Sequence, residues 1–245
     1  MAKESSANTS SLYSVHPGVQ MVQDWIASLK GKTGRSLDEW FAYIKKDGPK
    51  DEAGRRAWLK DTVGLGTNTA AWLAERSVGK GAEEDTPEGY LATVAKYVED
   101  LYAGPKAALR PIHDALLQLG LSLGKDVNIC PCKTMVPLYR RHVIAQVKPS
   151  TKTRIDFGLA LGDTKATGRL IDTRGFAKKD RITHRIAISS LDEIDAEVKR
   201  WLKTAYGRDA KQPAPRAVLA GQARRLNGES RRFNSRCQMV GSRCR

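Results

Sequence analysis

The feature that most constrains this chain is a change of hydrophobic period partway along it. Between His16 and Leu123, apolar residues recur at three- and four-residue steps. Val19, Val22, Ile26 and Leu29 make one run, Leu91, Val94, Val98 and Leu101 a second, and Leu109, Ile112, Leu116, Leu119 and Leu123 a third. That spacing lays one apolar stripe along a helix. Farther on the step falls to two. Val143, Ala145 and Val147 alternate with Ile144, Gln146 and Lys148, and Thr153, Ile155, Phe157, Leu159 and Leu161 with Arg154, Asp156, Gly158 and Ala160. A period of two gives a strand one buried face.

Local signals divide the chain. Residues 1–14 are rich in Ser, Ala, Asn and Thr and read as a disordered leader. After a first helix, Ser36 and Glu39 form a capping-box pair for a second, which buries Leu37, Trp40, Phe41 and Ile44 and stops at Gly48-Pro49. A third helix is expected from Asp51 to Val63, and a fourth, with Ala70, Leu73 and Ala74, after Gly64-Leu65-Gly66. Residues 15–78 are thus a small all-helical module, and the Gly- and acid-rich stretch 79–89 reads as a linker.

Residues 90–207 open with two helices, pass through strands (127–140 and 182–188 being further candidates) and close on a helix. Ser190 and Glu193 are its expected cap, and Leu191, Ile194, Val198, Trp201, Leu202 and Ala205 its buried stripe. The fold class is α+β: a helical module, then a sandwich with helices on one face of an antiparallel sheet. From Arg208 no period persists, and 208–245 reads as a disordered basic tail.

Charge follows the same division. The chain has 245 residues and a net charge of +15. Residues 1–89 hold 12 basic and 13 acidic side chains, residues 90–207 hold 20 and 12, and residues 208–245 hold 10 and 2. The front is neutral and each later segment carries +8. A basic balance of this kind points to a polyanionic partner, DNA or RNA. No run reaches the roughly 18 apolar residues of a membrane helix, and residues 1–14 have no apolar signal region. A cytoplasmic protein is expected, its four cysteines held as thiols.

Three constellations could carry chemistry. Gly64-Leu65-Gly66, followed by Thr67 and the anchor Leu73, has the form of a helix-hairpin-helix turn. Its glycines permit a tight bend and the next helix start offers N–H groups to a phosphate. An ordinary glycine-ended helix followed by another serves the same residues equally well. The basic set Lys133, Arg140, Arg141, Lys148, Lys152, Arg154 and Arg185 forms the second. Lys148 and Arg154 share the polar parity of their strands, and Tyr139 is near enough to stack on a base. The alternative is a solvated sheet face. Cys130-Pro131-Cys132 is the third, with His113, His142 and His184 as conceivable co-ligands. A spacing of one residue is too short for the usual zinc pair, so two small residues entering a strand are expected. His184 and His113 read as packed histidines. Asp156 with Asp163-Thr164-Lys165 superficially resembles a nuclease set, but the second acid falls in a turn. No catalytic residue, metal site or cofactor is assigned.

Two stretches resemble bacterial families of unknown function. Residues 16–78 are similar to the family numbered 4287, through Lys32-Thr33-Gly34-Arg35-Ser36-Leu37-Asp38-Glu39-Trp40, Gly48-Pro49-Lys50 and Trp58-Leu59-Lys60 leading into Gly64-Leu65-Gly66. Residues 91–207 resemble the family numbered 5655. The motifs are Cys130-Pro131-Cys132-Lys133-Thr134, Pro137-Leu138-Tyr139-Arg140, Lys148-Pro149, Thr151-Lys152-Thr153-Arg154 and Thr183-His184-Arg185. The resemblance implies the architecture and no activity. Its second pattern looks related to small α+β domains that accompany DNA-modification and restriction systems, an analogy of fold. The expectation is a non-enzymatic protein that binds nucleic acid through Lys133, Tyr139, Arg140, Lys148, Lys152 and Arg154, with Gly64 and Gly66 as a second contact. The alternative is a small-ligand or protein-interaction module without catalysis.

Overall fold

The computed structural model describes residues 12–211. Within that span residues 15–93 form one compact unit, and residues 94–211 with 12–14 form the other.

The first unit is helical. His16 caps α1 (Pro17–Thr33) by accepting the Gly18 N–H at Nδ1, 2.9 Å, and Pro17 takes the first turn, where a missing N–H costs nothing. Gly34, at φ 80°, ends α1 in the left-handed conformation. The capping box of α2 (Leu37–Asp47) is formed in both directions: Glu39 N–H donates to Ser36 Oγ, and Ser36 N–H to Glu39 Oε2. Asp51 caps α3 (Glu52–Asp61), and α4 (Thr67–Ser77) follows the Gly64–Gly66 turn. Leu29, Trp40, Ile44, Leu59 and Leu73 meet in the core, and the Trp40 indole N–H is satisfied by Thr33 Oγ1 at 2.8 Å. Leu37 and Phe41 are only partly buried at its edge.

The stretch 79–89 is no open tether. The Arg76 guanidinium is buried and therefore needs a partner. It finds one by folding this segment back, binding Asp85 at 3.0 Å and the Lys80 carbonyl. A 3-10 turn (Ala82–Glu84) leads into α5 (Pro87–Leu101), and the unit boundary falls inside that helix, between Thr93 and Val94. Composition suggested a linker because acids and glycines look solvated until the arginine that binds them is placed.

The second unit is α+β. A six-stranded antiparallel sheet contains β1 (Asn128–Ile129), β2 (Val136–Tyr139), β3 (Val143–Pro149), β4 (Ile155–Leu159), β5 (Ile171–Asp172) and β6 (His184–Ile188). Their spatial order is β1-β2-β3-β4-β6-β5. In register, Leu138, Ala145, Leu159 and His184 form one row of the buried face, and Val136, Val147, Phe157 and Ile186 the next. Helix α7 (Ala196–Ala210) lies on that face against β3 and β4, burying Val198, Leu202 and Ala205. Helix α6 (Arg110–Leu121) reaches β2 at Gly120, where an added Cβ would stand 2.0 Å from Leu138 Cδ2. Any larger residue there would have to displace the buried Leu138 side chain.

Three expected boundaries move. The leader's last residues belong to this unit: Tyr13 is buried and the Ser14 N–H donates to the Ile129 carbonyl at 2.8 Å. Helix α7 is capped by Asp195, which accepts from Glu197 and Val198, and not by Ser190. Leu191 consequently sits in a 3-10 turn ahead of α7 and is exposed. Finally, α7 runs past residue 207 through Ala210, because Asp209 is fully buried and bonded; residues 212–245 lie outside the described residues. No helix among the described residues is long and apolar enough to cross a membrane.

Candidate nucleic-acid interface

The sheet face opposite α7 carries Gln146, Lys148, Asp156, Gly158, Arg185 and Ala187. Lys148 stands directly across from Asp156 and is exposed, and Lys152 is exposed in the turn joining β3 to β4. Arg154 approaches Asp156 at 3.0 Å from one side, and Arg185 donates to the same Oδ1 at 2.9 Å from the other. Pairing of β3 with β4 therefore brings Lys148, Lys152 and Arg154 to one end of the sheet, with Arg185 beside them. One carboxylate pairs with two arginines there, with Lys148 across the strands from it. Arg154 Nε points too poorly for a hydrogen bond, so its contact is ionic attraction alone.

The other expected binding residues are elsewhere. Lys133 lies in the β1–β2 connection with its ammonium 5.5 Å from the centre of the Tyr97 ring, so it turns toward the helix side. Tyr139 is half-buried where the register of β2 and β3 shifts. Arg140 is committed internally. Its Nε binds Asp126 at 2.5 Å, its Nη1 donates to the Tyr206 carbonyl at 3.2 Å, and its guanidinium lies over the Tyr206 ring at 4.0 Å. That bond holds the Asp126 carboxyl below its ordinary pKa, with the Tyr206 hydroxyl adding a second donor. Gly64 and Gly66 belong to the helical unit. Gly64 does supply a positive φ of 81°, and α4 begins without a side-chain cap.

His184 and His113 are packed, as their places in the sequence pattern suggested, and Cys130 and Cys132 are small buried residues. His184 Nε2 donates to the Thr164 carbonyl at 2.8 Å, while its Nδ1 accepts from the Thr183 hydroxyl, which itself accepts the Leu161 N–H. His113 is fully buried against the Tyr102 hydroxyl at 2.9 Å, and burial pushes its pKa down to about 3. Cys130 and Cys132 are buried and in no disulfide. No group of three or more His, Cys, Asp or Glu side chains among the described residues could hold a metal ion.

Two groups escaped the sequence reading. Asp209 accepts from the backbone N–H of Arg141 and of His142, from His142 Nδ1 at 2.9 Å and from Arg181 Nη2 at 2.5 Å. It ties the end of α7 to the β2–β3 turn. The second is the β5–β6 loop, where Arg174, Phe176, Lys178 and Lys179 are all exposed. Its available signal was a lone aromatic inside a cationic stretch, Arg174-Gly175-Phe176-Ala177-Lys178-Lys179.

Residues 98–208 match the model of a domain of unknown function, DUF5655. The match spans the α+β unit from within α5 nearly to the end of α7, so the second module carries a domain of that family. No curated protein and no solved structure matches the chain.

Proposed function

We propose that the α+β unit binds polyanions, nucleic acid first among them, through phosphate charge and without sequence preference. The observation that carries this reading is the imbalance on the open sheet face, where among the described residues Asp156 is the one carboxylate on the strand positions shared with Lys148 and Arg185, with Arg154 beside it. Lys152 extends the positive strip beyond the strands. Side chains of this kind on a pleated surface can follow a phosphate backbone, and displaced counterions drive the association. The resemblance of residues 16–78 to the family numbered 4287 adds a helical neighbour to this reading and no chemistry of its own.

The test is fluorescence anisotropy of the full chain with a labelled oligonucleotide across a salt series. The wild type should bind at low salt, with affinity falling linearly in log–log form. Lys148→Glu with Arg154→Glu should weaken binding and flatten the salt slope by about 2, roughly one for each lost phosphate contact. Absence of binding at low salt, or an unchanged slope in the double variant, would sink the sheet-face reading.

A further inference from the structure

We infer that the β5–β6 loop is a base-stacking contact, which makes single-stranded nucleic acid the preferred polyanion; the inference rests on the binding reading above. Phe176 is 61% exposed, the most exposed large apolar side chain among the described residues. One exposed ring is ordinary by itself; the backbone and charges around this one are what single it out.

The loop backbone is held in place. Asp180 N–H donates to the Gly175 carbonyl at 2.8 Å, Lys179 N–H to that of Phe176 at 3.1 Å, and Lys178 N–H to that of Arg174 at 3.3 Å. Thr173 bonds twice to the Thr183 carbonyl, through its N–H and its hydroxyl. Gly175 is pressed against the chain leading into β6, where an added Cβ would meet the Ile182 carbonyl oxygen at 2.4 Å. Arg174 and Lys179 are the two non-glycine residues with positive φ among the described residues, at 58° and 60°. The Cβ of a non-glycine residue makes that conformation unfavourable. Both flank Phe176, so the chain maintains an unfavourable backbone at the place where it holds an aromatic ring out to solvent.

The surrounding charge selects the partner. Arg174, Lys178 and Lys179 are exposed, and none of them pairs with a carboxylate among the described residues. The nearby Asp172 is occupied by the Arg174 backbone N–H at 2.7 Å. A ring ringed by unpaired cations matches a ligand that offers phosphates and flat π-faces together. Single strands expose those faces, whereas a duplex hides them in its stack. An anionic membrane would also attract the cations. Anchoring there requires more apolar surface than one ring and Ile171, which is 42% exposed on edge strand β5, provide.

The probes are a labelled thymidine 20-mer, a duplex of equal length, an abasic 20-mer and phosphatidylserine vesicles, each with the full chain. Phe176→Ala should weaken thymidine binding by about 5- to 100-fold, the range for losing one base stack, and change duplex binding less than about twofold. Phe176→Trp should restore single-strand binding, its added emission quenched by thymidine and not by the abasic strand. Phe176 is exposed, so both variants should fold. Wild-type affinity in Phe176→Ala while Lys148→Glu with Arg154→Glu abolishes binding overturns the stacking loop and leaves the sheet face standing. Equal losses on single strand and duplex overturn it too, as does vesicle binding with no oligonucleotide binding. No wild-type binding to any oligonucleotide at low salt removes both readings.

Discussion

Two aspartates of the α+β unit each collect arginines, with opposite consequences. Asp209 is fully buried and takes two backbone N–H groups, His142 and Arg181. Asp156 is half-buried on the open sheet face and takes Arg154 and Arg185, with Lys148 across from it. The first pairing closes the fold, because an uncompensated charge there would have neither water nor a partner. The second trims a positive surface and leaves it positive. An aspartate thus becomes architecture in one place and part of a positive surface in the other, and burial decides which.

Several measurements would break or sharpen that contrast. Asp209→Ala should lower stability by about 3 kcal/mol in urea unfolding, toward the lower end for a broken buried pair because Arg181 and His142 remain partly hydrated. Asp156→Ala should change it by no more than about 1 kcal/mol. Similar values for the two would erase the distinction.

The buried His113 extends the same logic to pH. Burial holds its folded pKa at about 3, against an ordinary value of 6.5. Between those values the unfolded chain binds the proton and the folded chain does not, so stability falls as pH drops below 6.5. By pH 5 the loss from this residue should reach about 2 kcal/mol. Urea midpoints at several pH values should show a shallower acid decline in His113→Phe than in the wild type, and parallel curves would contradict the depressed pKa.

Smaller effects belong to the surface. Asp156→Asn frees Arg154 and Arg185 and should raise oligonucleotide affinity a few-fold at low salt, with the gain vanishing as salt rises. A decrease would show that Asp156 orders its arginines for binding. Arg208 pairs with Asp163 at 2.9 Å, both well exposed at 41% and 72%. Arg208→Ala should therefore leave the unfolding midpoint unchanged within error.

Much of the fold was legible in the chain itself. The run Val19–Leu29 and the Ser36–Glu39 pair became α1 and a complete capping box, and the alternation from Val143 to Leu161 became the paired β3 and β4. The shared face of Lys148 and Arg154 also followed from parity once those strands paired. Boundaries were less legible. The linker at 79–89 dissolved because Arg76 binds Asp85, and the end of the domain moved because Asp209 is needed inside. The two-residue β5 is too short to show any period.

What the sequence determined by itself is what depends on near neighbours: helix or strand, caps, and which side of an element is apolar. These are set by one residue's spacing from the next, a few positions away. Which cations remain available is a different question. Arg140 meets Asp126 across 14 positions, Arg185 meets Asp156 across 29, and the Arg141 N–H meets Asp209 across 68. An ion pair needs its atoms within about 4 Å, and only the folded path of the chain brings distant residues that close. Tertiary structure therefore decided that Arg140 is spent inside while Lys148, Lys152 and the Phe176 loop face outward.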